Sequence, residues 1–256
     1  MYAQVWGATI DGLDGRLVAV EVDISQGLPA FDIVGLPAVS IKEARERVRA
    51  ALSNSGFFFP LRRIVVNLAP ADLRKDGASL DLPIAIAILL ATGQLKLTKE
   101  QESLLVSRAL FSGELSLDGS IKAVRGTIGM VLASLAVSKD ILVTSPHNAE
   151  ETAICQGLRV YSESNLASLV GLLESGQEAR VLSKPNINLS PAKANYKEVR
   201  GQIEGKRAME IAAAGFHHVL LKGPPGGGKT MLASRLPSIL PPLGLDEVLN
   251  LSKIHN

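Results

Sequence analysis

Eight consecutive residues constrain this chain more than any other part of its sequence. They match the pattern G-x-x-x-x-G-K-[ST] and comprise Gly223, Pro224, Pro225, Gly226, Gly227, Gly228, Lys229 and Thr230. Glycines at 226, 227 and 228 permit backbone conformations with positive φ, so that successive N–H groups can point at phosphate oxygens. The segment therefore predicts a phosphate-binding loop.

The residues on either side of the motif support this prediction. The apolar residues 218–221 (HVLL) predict a strand before the loop, and residues 231–236 (MLASRL) predict a helix after it. A helix that begins near Lys229 directs the positive end of its dipole at the loop. We therefore expect Lys229 to bind the β and γ phosphates of ATP and Thr230 to be a ligand of Mg²⁺.

The rest of the sequence predicts a folded α/β (α+β) protein. Hydrophobic residues make up 46% of the 256 residues and charged residues 20%, which is enough apolar material for a core. Apolar residues alternate over 17–24 and predict a half-buried strand. Ser40 and Glu43 form a capping pattern that predicts the start of a helix at Ser40. Further strands are expected at 31–34, 64–68, 141–144 and 158–161, and helices at 80–91, 124–137, 165–173 and 203–214.

A change of composition divides the chain. Residues 174–195 are polar, contain two prolines and lack apolar periodicity, which is typical of a linker. The sequence predicts a first domain at 1–175, a linker at 176–195 and a second domain at 196–256.

Charge and hydropathy favour a cytoplasmic protein without specifying its partner. The 27 basic and 25 acidic residues give a net charge of +2, which singles out neither nucleic acid nor a membrane surface. The longest apolar stretch, 82–91, is half of the ~20 residues that cross a bilayer, so no membrane is expected. The single Cys155 is interpreted as a small core residue. Several arginines indicate either a phosphate-binding surface or an ordinary solvated face, and the interleaved glutamates favour the second: Arg45, Arg47, Arg49, Arg62 and Arg63.

Two segments carry a family resemblance. Val199, Arg200, Gly201 and Gln202, followed by KRAMEIAAAGFHHVLLKGPPGGGKTMLASRLPSILPPL at 206–243, closely resemble the magnesium-chelatase-like AAA+ ATPases of the ComM/YifB type. The resemblance covers residues 1–255 and includes the opening YAQVWGATIDGLDG. It implies that Val199, Arg200 and Gly201 lie beside the adenine base, and that the loop holds the phosphates. It also implies self-assembly into a hexameric ring that moves on DNA as a branch-migration motor in natural transformation and recombination.

The first domain resembles the ribosomal-S5-like fold shared with the Lon protease domain. Residues 75–79 (KDGAS) are similar to the stretch around the Lon serine nucleophile, which places Ser79 at the nucleophile position. The matching lysine position falls at Ile128, which cannot act as a base. Ser79 is therefore predicted to cap the helix at 80–91.

Hydrolysis of ATP needs acidic residues that follow an apolar strand. After Thr230 the only acidic residues are Asp246 and Glu247, which lie in a helix-like pattern, and Asp246 is predicted to be an N-cap or first-turn residue and not a metal ligand. We therefore expect the chain to end within the ATPase domain and to bind ATP without hydrolysing it by itself. The alternatives are a non-enzymatic binding or regulatory fragment that acts through residues 1–175, a peptidase based on Ser79, and a role in metal insertion into a porphyrin.

Overall fold

The structure is a computed structural model that describes residues 1–75, 77–182 and 195–255. The chain divides into two compact units. The first comprises Met1–Pro185 with Leu249–Asn256, and the second comprises Asn186–Val248. The predicted linker at 176–195 stays a prediction, because residues 183–194 lie outside the described ranges.

A four-stranded sheet forms the centre of the first unit. Its strands are β1 (Tyr2–Asp11), β2 (Asp14–Ser25), β3 (Ala30–Val34) and β4 (Arg63–Ala69), in the order β1-β2-β4-β3. β2 runs antiparallel to β1 and β4, whereas β3 is parallel to β4 and forms one edge. Within β2, Val18, Val20, Val22 and Ile24 are buried, as the alternating pattern predicts.

The remaining strands are short. They are β5 (Ala109–Phe111), β6 (Glu114–Leu115), β7 (Ile121–Lys122), β8 (Ile141–Thr144), β9 (Arg159–Ser162) and β10 (Arg180–Val181). β5, β8 and β9 are parallel neighbours in a second sheet of order β10-β9-β8-β5. β10 is antiparallel to β9, and β6 pairs with β7 as a two-stranded ribbon.

The described residues also form helices. They are α1 (Val39–Asn54), α2 (Asp81–Ala91), α3 (Lys99–Arg108), α4 (Thr127–Leu135), α5 (Pro146–Thr152), α6 (Leu166–Glu174), α7 (Ile203–Gly215), α8 (Lys229–Arg235) and α9 (Leu245–His255). α2 is the most buried of them, with every residue from 81 to 89 inaccessible to solvent. It contacts β1, β2 and α1 and is therefore the central helix of the main core. The mixed α/β class predicted from the sequence is confirmed.

The second unit has a small core of its own. Tyr196, Val199, Met209 and Leu232 are buried together, contributed by the 3-10 turn Tyr196–Glu198 and its following residue, by α7 and by α8. α7 begins where the sequence predicts it, and α8 begins at Lys229 as expected. Asp246 lies in the first turn of α9, as predicted, and so does Glu247.

The predicted strand at 218–221 is wrong. These residues form no β-ladder, and Leu220 is 91% exposed. A strand is stable only when its N–H and C=O groups find partners on a neighbouring strand. No other strand is present among residues 195–255, so this apolar segment has nothing with which to pair.

Two helix caps also differ from the prediction. α1 begins at Val39 with Ala38 at its N-cap, which places Ser40 inside the helix and not at the cap. α2 has Leu80 at its N-cap, so Ser79 does not cap it. The pattern S-x-x-E identifies a capping box only when the serine directly precedes the first helical residue.

Within the described ranges, none of the helices combines the length and the apolar character needed to cross a lipid bilayer.

Candidate nucleotide-binding site

The loop at 223–230 has the backbone that its glycines allow. Gly226 and Gly228 have φ values of +79° and +75°, in the left-handed region that L side chains rarely adopt. Gly227 does not lie in that region, and its requirement is one of space. A Cβ atom added there would lie 3.2 Å from the carbonyl oxygen of Pro224. The three glycines are therefore needed for two different reasons, conformation at 226 and 228 and clearance at 227.

Lys229 closes the loop over its own backbone. Its Nζ donates hydrogen bonds to the carbonyl oxygens of Gly223, at 2.9 Å, and Pro224, at 2.7 Å. This places the positive charge against the start of the loop. Thr230 follows as the second residue of α8, and it is exposed.

The start of α8 offers hydrogen-bond donors. Gly228 is its N-cap residue, in a left-handed conformation, and has no side chain with which to cap. The first N–H groups of a helix have no partner within the helix, and an uncapped N-terminus favours an anion. The ammonium group of Lys229 and the hydroxyl group of Thr230 lie on this same turn. The N–H groups and the ammonium group can donate hydrogen bonds to phosphate oxygens, and the hydroxyl oxygen of Thr230 can bind a cation. This set of groups therefore fits a phosphate that carries Mg²⁺.

The segment predicted to contact adenine adjoins the loop. Val199 is 1% exposed and shares a hydrophobic cluster with Leu232 of α8, whereas Arg200 and Gly201 are exposed. The next residue, Gln202, donates from Nε2 to the carbonyl oxygen of Gly227 at 3.2 Å. The fold thus brings two segments that are more than twenty residues apart in sequence into direct contact.

The second unit also contains buried polar atoms. In the part of the second unit that the structure describes, Tyr196 Oη and Arg235 Nε are buried without a hydrogen-bond partner. Arg235 uses its other nitrogens, since Nη2 contacts Glu198 Oε2 at 3.1 Å and Nη1 donates to the carbonyl oxygen of Met231. No sequence pattern indicates these atoms, because burial of a phenol or a guanidinium depends on the packing of α8.

The acidic residues after the loop have a structural role. Glu247 Oε2 accepts a hydrogen bond from the backbone N–H of Gly244 at 2.7 Å and so stabilises the start of α9. Among the described residues, no group of three or more His, Cys, Asp or Glu side chains could hold a metal ion.

Ser79 is committed to a structural hydrogen bond. It is 3% exposed, and its Oγ donates to the carbonyl oxygen of Ala8 at 2.8 Å. Ile128, at the position of the Lon lysine, is buried in α4. Lys75 donates from Nζ to the carbonyl oxygens of Gly35 and Pro70. Because a serine nucleophile needs a neighbouring base, this arrangement disfavours the peptidase interpretation.

Cys155 is a core residue, as interpreted from the sequence. It is 5% exposed and packs in the hydrophobic cluster that contains Ile128. Burial raises the pKa of its thiol to about 11, so the thiol remains protonated at neutral pH. A protonated thiol is neither a nucleophile nor a metal ligand.

Two family models match the chain. Residues 20–148 match the model described as "Subunit ChlI of Mg-chelatase", and residues 195–256 match the model described as "Magnesium chelatase, subunit ChlI". The first match covers half of the chain, and the second contains the whole phosphate-binding loop.

Curated relatives align along most of the chain. A protein named YifB from Salmonella typhimurium is 43% identical over 244 residues, which are 95% of this chain and 47% of that relative. The competence protein ComM of Haemophilus influenzae is 41% identical over 245 residues, which are 93% of this chain and 47% of that relative. A protein of Mycobacterium bovis is 38% identical over 255 residues, which are 99% of this chain and 49% of that relative.

The chain spans about half the length of the curated relatives it matches. The resemblance deduced from residues 199–202 and 206–243 is thereby confirmed. The chain belongs to the magnesium-chelatase ChlI family of AAA+ proteins, and within it to the ComM/YifB type.

Proposed function

We propose that this chain binds Mg·ATP through residues 223–230 and is the nucleotide-binding part of a DNA motor that acts in recombination. The observation that carries the proposal is the loop itself. Two glycines with positive φ lead into an uncapped helix, and Lys229 and Thr230 occupy its first turn. The name of the Haemophilus influenzae relative, a competence protein, supports a role with incoming DNA.

Each residue of the site has a defined task in this proposal. Lys229 exchanges its two carbonyl partners for the β and γ phosphate oxygens, and the backbone N–H groups of the loop bind the same oxygens. The hydroxyl oxygen of Thr230 binds Mg²⁺, which neutralises phosphate charge when bound. Val199, Arg200 and Gly201 lie beside the adenine base, as the family resemblance implies, and the hydrogen bond from Gln202 to Gly227 holds their segment next to the loop.

ATP binding is the activity that we assign to the chain itself. Hydrolysis needs a carboxylate that orients water and an arginine from a neighbouring subunit. Glu247 is already used at the start of α9. We therefore propose that hydrolysis, assembly into a hexameric ring and movement on DNA belong to the intact proteins of this family. A cytoplasmic location remains a prediction from the sequence.

Nucleotide binding can be tested by titrating the chain with a fluorescent ATP analogue in the presence of Mg²⁺. We expect saturable binding that Lys229→Ala weakens by at least about tenfold, because charge-assisted hydrogen bonds to phosphate are lost. Lys222→Ala is the matched control, since Lys222 is an exposed lysine directly before the loop. It removes the same charge outside the motif and should bind as the wild type does. Equal binding by both variants, or no binding by the wild type, would contradict the proposal.

A further inference from the structure

A cavity in the first unit combines aromatic rings with arginine side chains. It has a volume of about 230 Å³ and lies between the start of β3, the outer face of α1 and the loop at 57–62. Two phenylalanines and three arginines are among the residues that line it: Phe31, Phe59, Arg45, Arg49 and Arg62. We call this set the basic-aromatic cavity.

The walls of the basic-aromatic cavity are fixed by the fold. The rings of Phe31 and Phe59 have centroids 5.6 Å apart, and both pack against the main core. The loop that carries Phe59 is held by the side chain of Gln94, which accepts from the N–H of Phe58 at 2.7 Å and donates to its carbonyl oxygen at 2.9 Å. Arg45 donates to the carbonyl oxygen of Phe31 at 3.3 Å and so ties α1 to β3. The cavity therefore exists before any ligand enters it.

The charge of this region is positive, unlike the nearly balanced charge of the whole chain. Arg63 and Asp32 line an adjoining depression that also includes Arg45. Together the two cavities contain four arginines and two carboxylates, from Glu46 and Asp32.

Ion pairing differs among the arginines of α1 and of this region. Within the described ranges, neither Arg49 nor Arg62 forms an ion pair, whereas Arg47 on the same helix is paired with Asp81 at 2.6 Å. The guanidinium carbon of Arg49 lies over the Phe59 ring, 5.7 Å from its centroid, in a cation–π contact. The sequence interpretation of a solvated face with mixed charges does not describe Arg47, because its partner Asp81 is buried. Arg45, Arg49 and Arg62 converge on one cavity.

We propose that the basic-aromatic cavity binds single-stranded DNA, as a contact site separate from the phosphate-binding loop. Proteins that bind single strands combine a positively charged groove with aromatic side chains on which bases stack. Here Phe59 and the guanidinium plane of Arg49 offer stacking surfaces, and Arg45 and Arg62 offer charge for the phosphates. The proposal rests on the proposed function in one respect, which is the choice of DNA as the polyanion.

Single strands fit this cavity better than two other polyanions. The bases of a duplex are stacked on one another and cannot reach aromatic rings inside a cavity, so a duplex would contact only the arginines. An acidic peptide would also pair with the arginines, but its aliphatic carboxylates have no planar surface for Phe31 and Phe59. The pairing of aromatic and basic groups therefore favours an unstacked nucleotide.

The test is fluorescence anisotropy of a labelled oligothymidylate of about 20 nucleotides, which exceeds the usual site of a small domain, with the full chain. We expect the double variant Arg45→Gln/Arg49→Gln to bind at least roughly tenfold more weakly, with the slope of log affinity against log salt reduced by about 0.7 for the one phosphate contact assigned to Arg45. Phe59→Leu should weaken binding by roughly fivefold or more while changing the salt slope little. Arg16→Gln/Arg180→Gln is the matched control, because both arginines are exposed in the same unit and the charge change is equal. Circular dichroism melting establishes that each variant is folded.

Several outcomes would overturn this proposal and leave the proposed nucleotide site unaffected. Equal loss in the control pair would show that only net charge matters. Tighter binding of a duplex, an oligouridylate or polyglutamate than of oligothymidylate would assign the cavity to another partner. Loss of DNA binding in Lys229→Ala, with the arginine variants unaffected, would place the DNA contact in the second unit. If oligothymidylate binding is instead retained in Lys229→Ala and lost in Arg45→Gln/Arg49→Gln, that result supports DNA binding at the basic-aromatic cavity, even where the chain does not bind ATP.

Discussion

The carboxyl group of Asp81 links the stability of the first unit to pH. It is 1% exposed and accepts hydrogen bonds from Arg47 Nε at 2.6 Å, from Arg47 Nη2 at 3.0 Å and from the N–H of Leu115 at 3.3 Å. Burial raises its pKa from 3.8 to about 6, against the opposing effect of Arg47. Because the folded carboxyl group binds its proton more tightly than the unfolded one, its contribution to stability is full below about pH 4. That contribution is lost as the pH rises through about 6, and the loss is about 3 kcal/mol.

Asp81→Asn removes this titration and leaves a side chain of similar shape. We expect the free energy of unfolding of the wild type, relative to the variant, to decrease as the pH is raised from 4 to 7. Urea unfolding at several pH values measures the difference directly. A difference that increases with pH would mean that the ion pair with Arg47 outweighs burial.

Asp140 provides a control, because its contribution to stability changes with pH in the opposite direction. Burial raises its pKa, but the hydrogen bond from Arg108 and the charge of Arg159 outweigh burial and hold the pKa below its usual value. Its contribution to stability is present above the unfolded pKa and is lost as the pH falls through the folded one. The wild type should therefore gain stability relative to Asp140→Asn as the pH rises.

Single residues were predictable from the sequence where a local motif defines them. Gly226, Gly228 and Lys229 belong to one contiguous pattern, and their conformations and contacts lie within it. The hydrogen bond of Ser79 joins residues that are 71 positions apart, and the Arg47–Asp81 pair joins residues that are 34 positions apart. Such contacts depend on how β1, α1 and α2 pack, and no local pattern indicates them.

At the scale of secondary-structure elements, β2 and α4 pack backbone against backbone. A Cβ atom added to Gly15 would lie 2.5 Å from the Cα of Met130 and would also overlap the backbone of Gly129. Neither neighbour is a flexible side chain, so the strand and the helix would have to separate. Gly15 is therefore the residue that lets α4 lie directly on the start of β2.

Gly15→Ala should destabilise the first unit by about 1–3 kcal/mol, the usual cost of overpacking. Gly171→Ala is the matched control, because Gly171 lies in α6 and an added Cβ atom would meet nothing within 4 Å. There the same substitution should stabilise the protein by about 0.5–1 kcal/mol through helix propensity. Chemical unfolding measures both, and destabilisation of equal size at the two positions would disprove the packing argument.

The elements that the sequence predicted are those with a strong apolar pattern. β2 has buried residues at every second position from Val18 to Ile24, and α2 is apolar on every side because it is surrounded by other elements. β1 was missed because Gly7 and polar residues interrupt its apolar pattern, and α3 was missed because only Leu105 of its ten residues is buried. The segment at 218–221 has a strong apolar pattern but forms no strand, because a strand also requires a neighbouring strand with which to pair.

At the scale of the whole molecule, the two units differ greatly in the size of their cores. The main cluster of the first unit extends over both of its larger sheets and α2, and a second cluster lies around α4. In the second unit, the buried cluster consists of Tyr196, Val199, Met209 and Leu232. Because stability scales with the apolar area buried, the first unit should dominate the thermal unfolding of the chain.

The variants Ile86→Ala and Met209→Ala test whether the first unit dominates the thermal unfolding. Ile86 is fully buried in α2, so its truncation should cost about 2–5 kcal/mol and lower the main transition by several degrees. Met209→Ala removes a side chain of similar size from the small cluster and should leave the main transition unchanged. Differential scanning calorimetry separates the two cases, and an equal shift in both variants would mean that the chain unfolds as one cooperative body.

In the nucleotide site that we propose, the hydrogen bonds of Lys229 would make phosphate binding a ligand exchange. The ammonium group is already satisfied by the carbonyl oxygens of Gly223 and Pro224. An incoming phosphate must displace both, so the net gain is the difference between two sets of hydrogen bonds and not the full strength of the new one. The released carbonyl groups then need new partners in water. Affinity in this loop therefore depends as much on how weakly the lysine is held before binding as on how strongly it holds the phosphate afterwards.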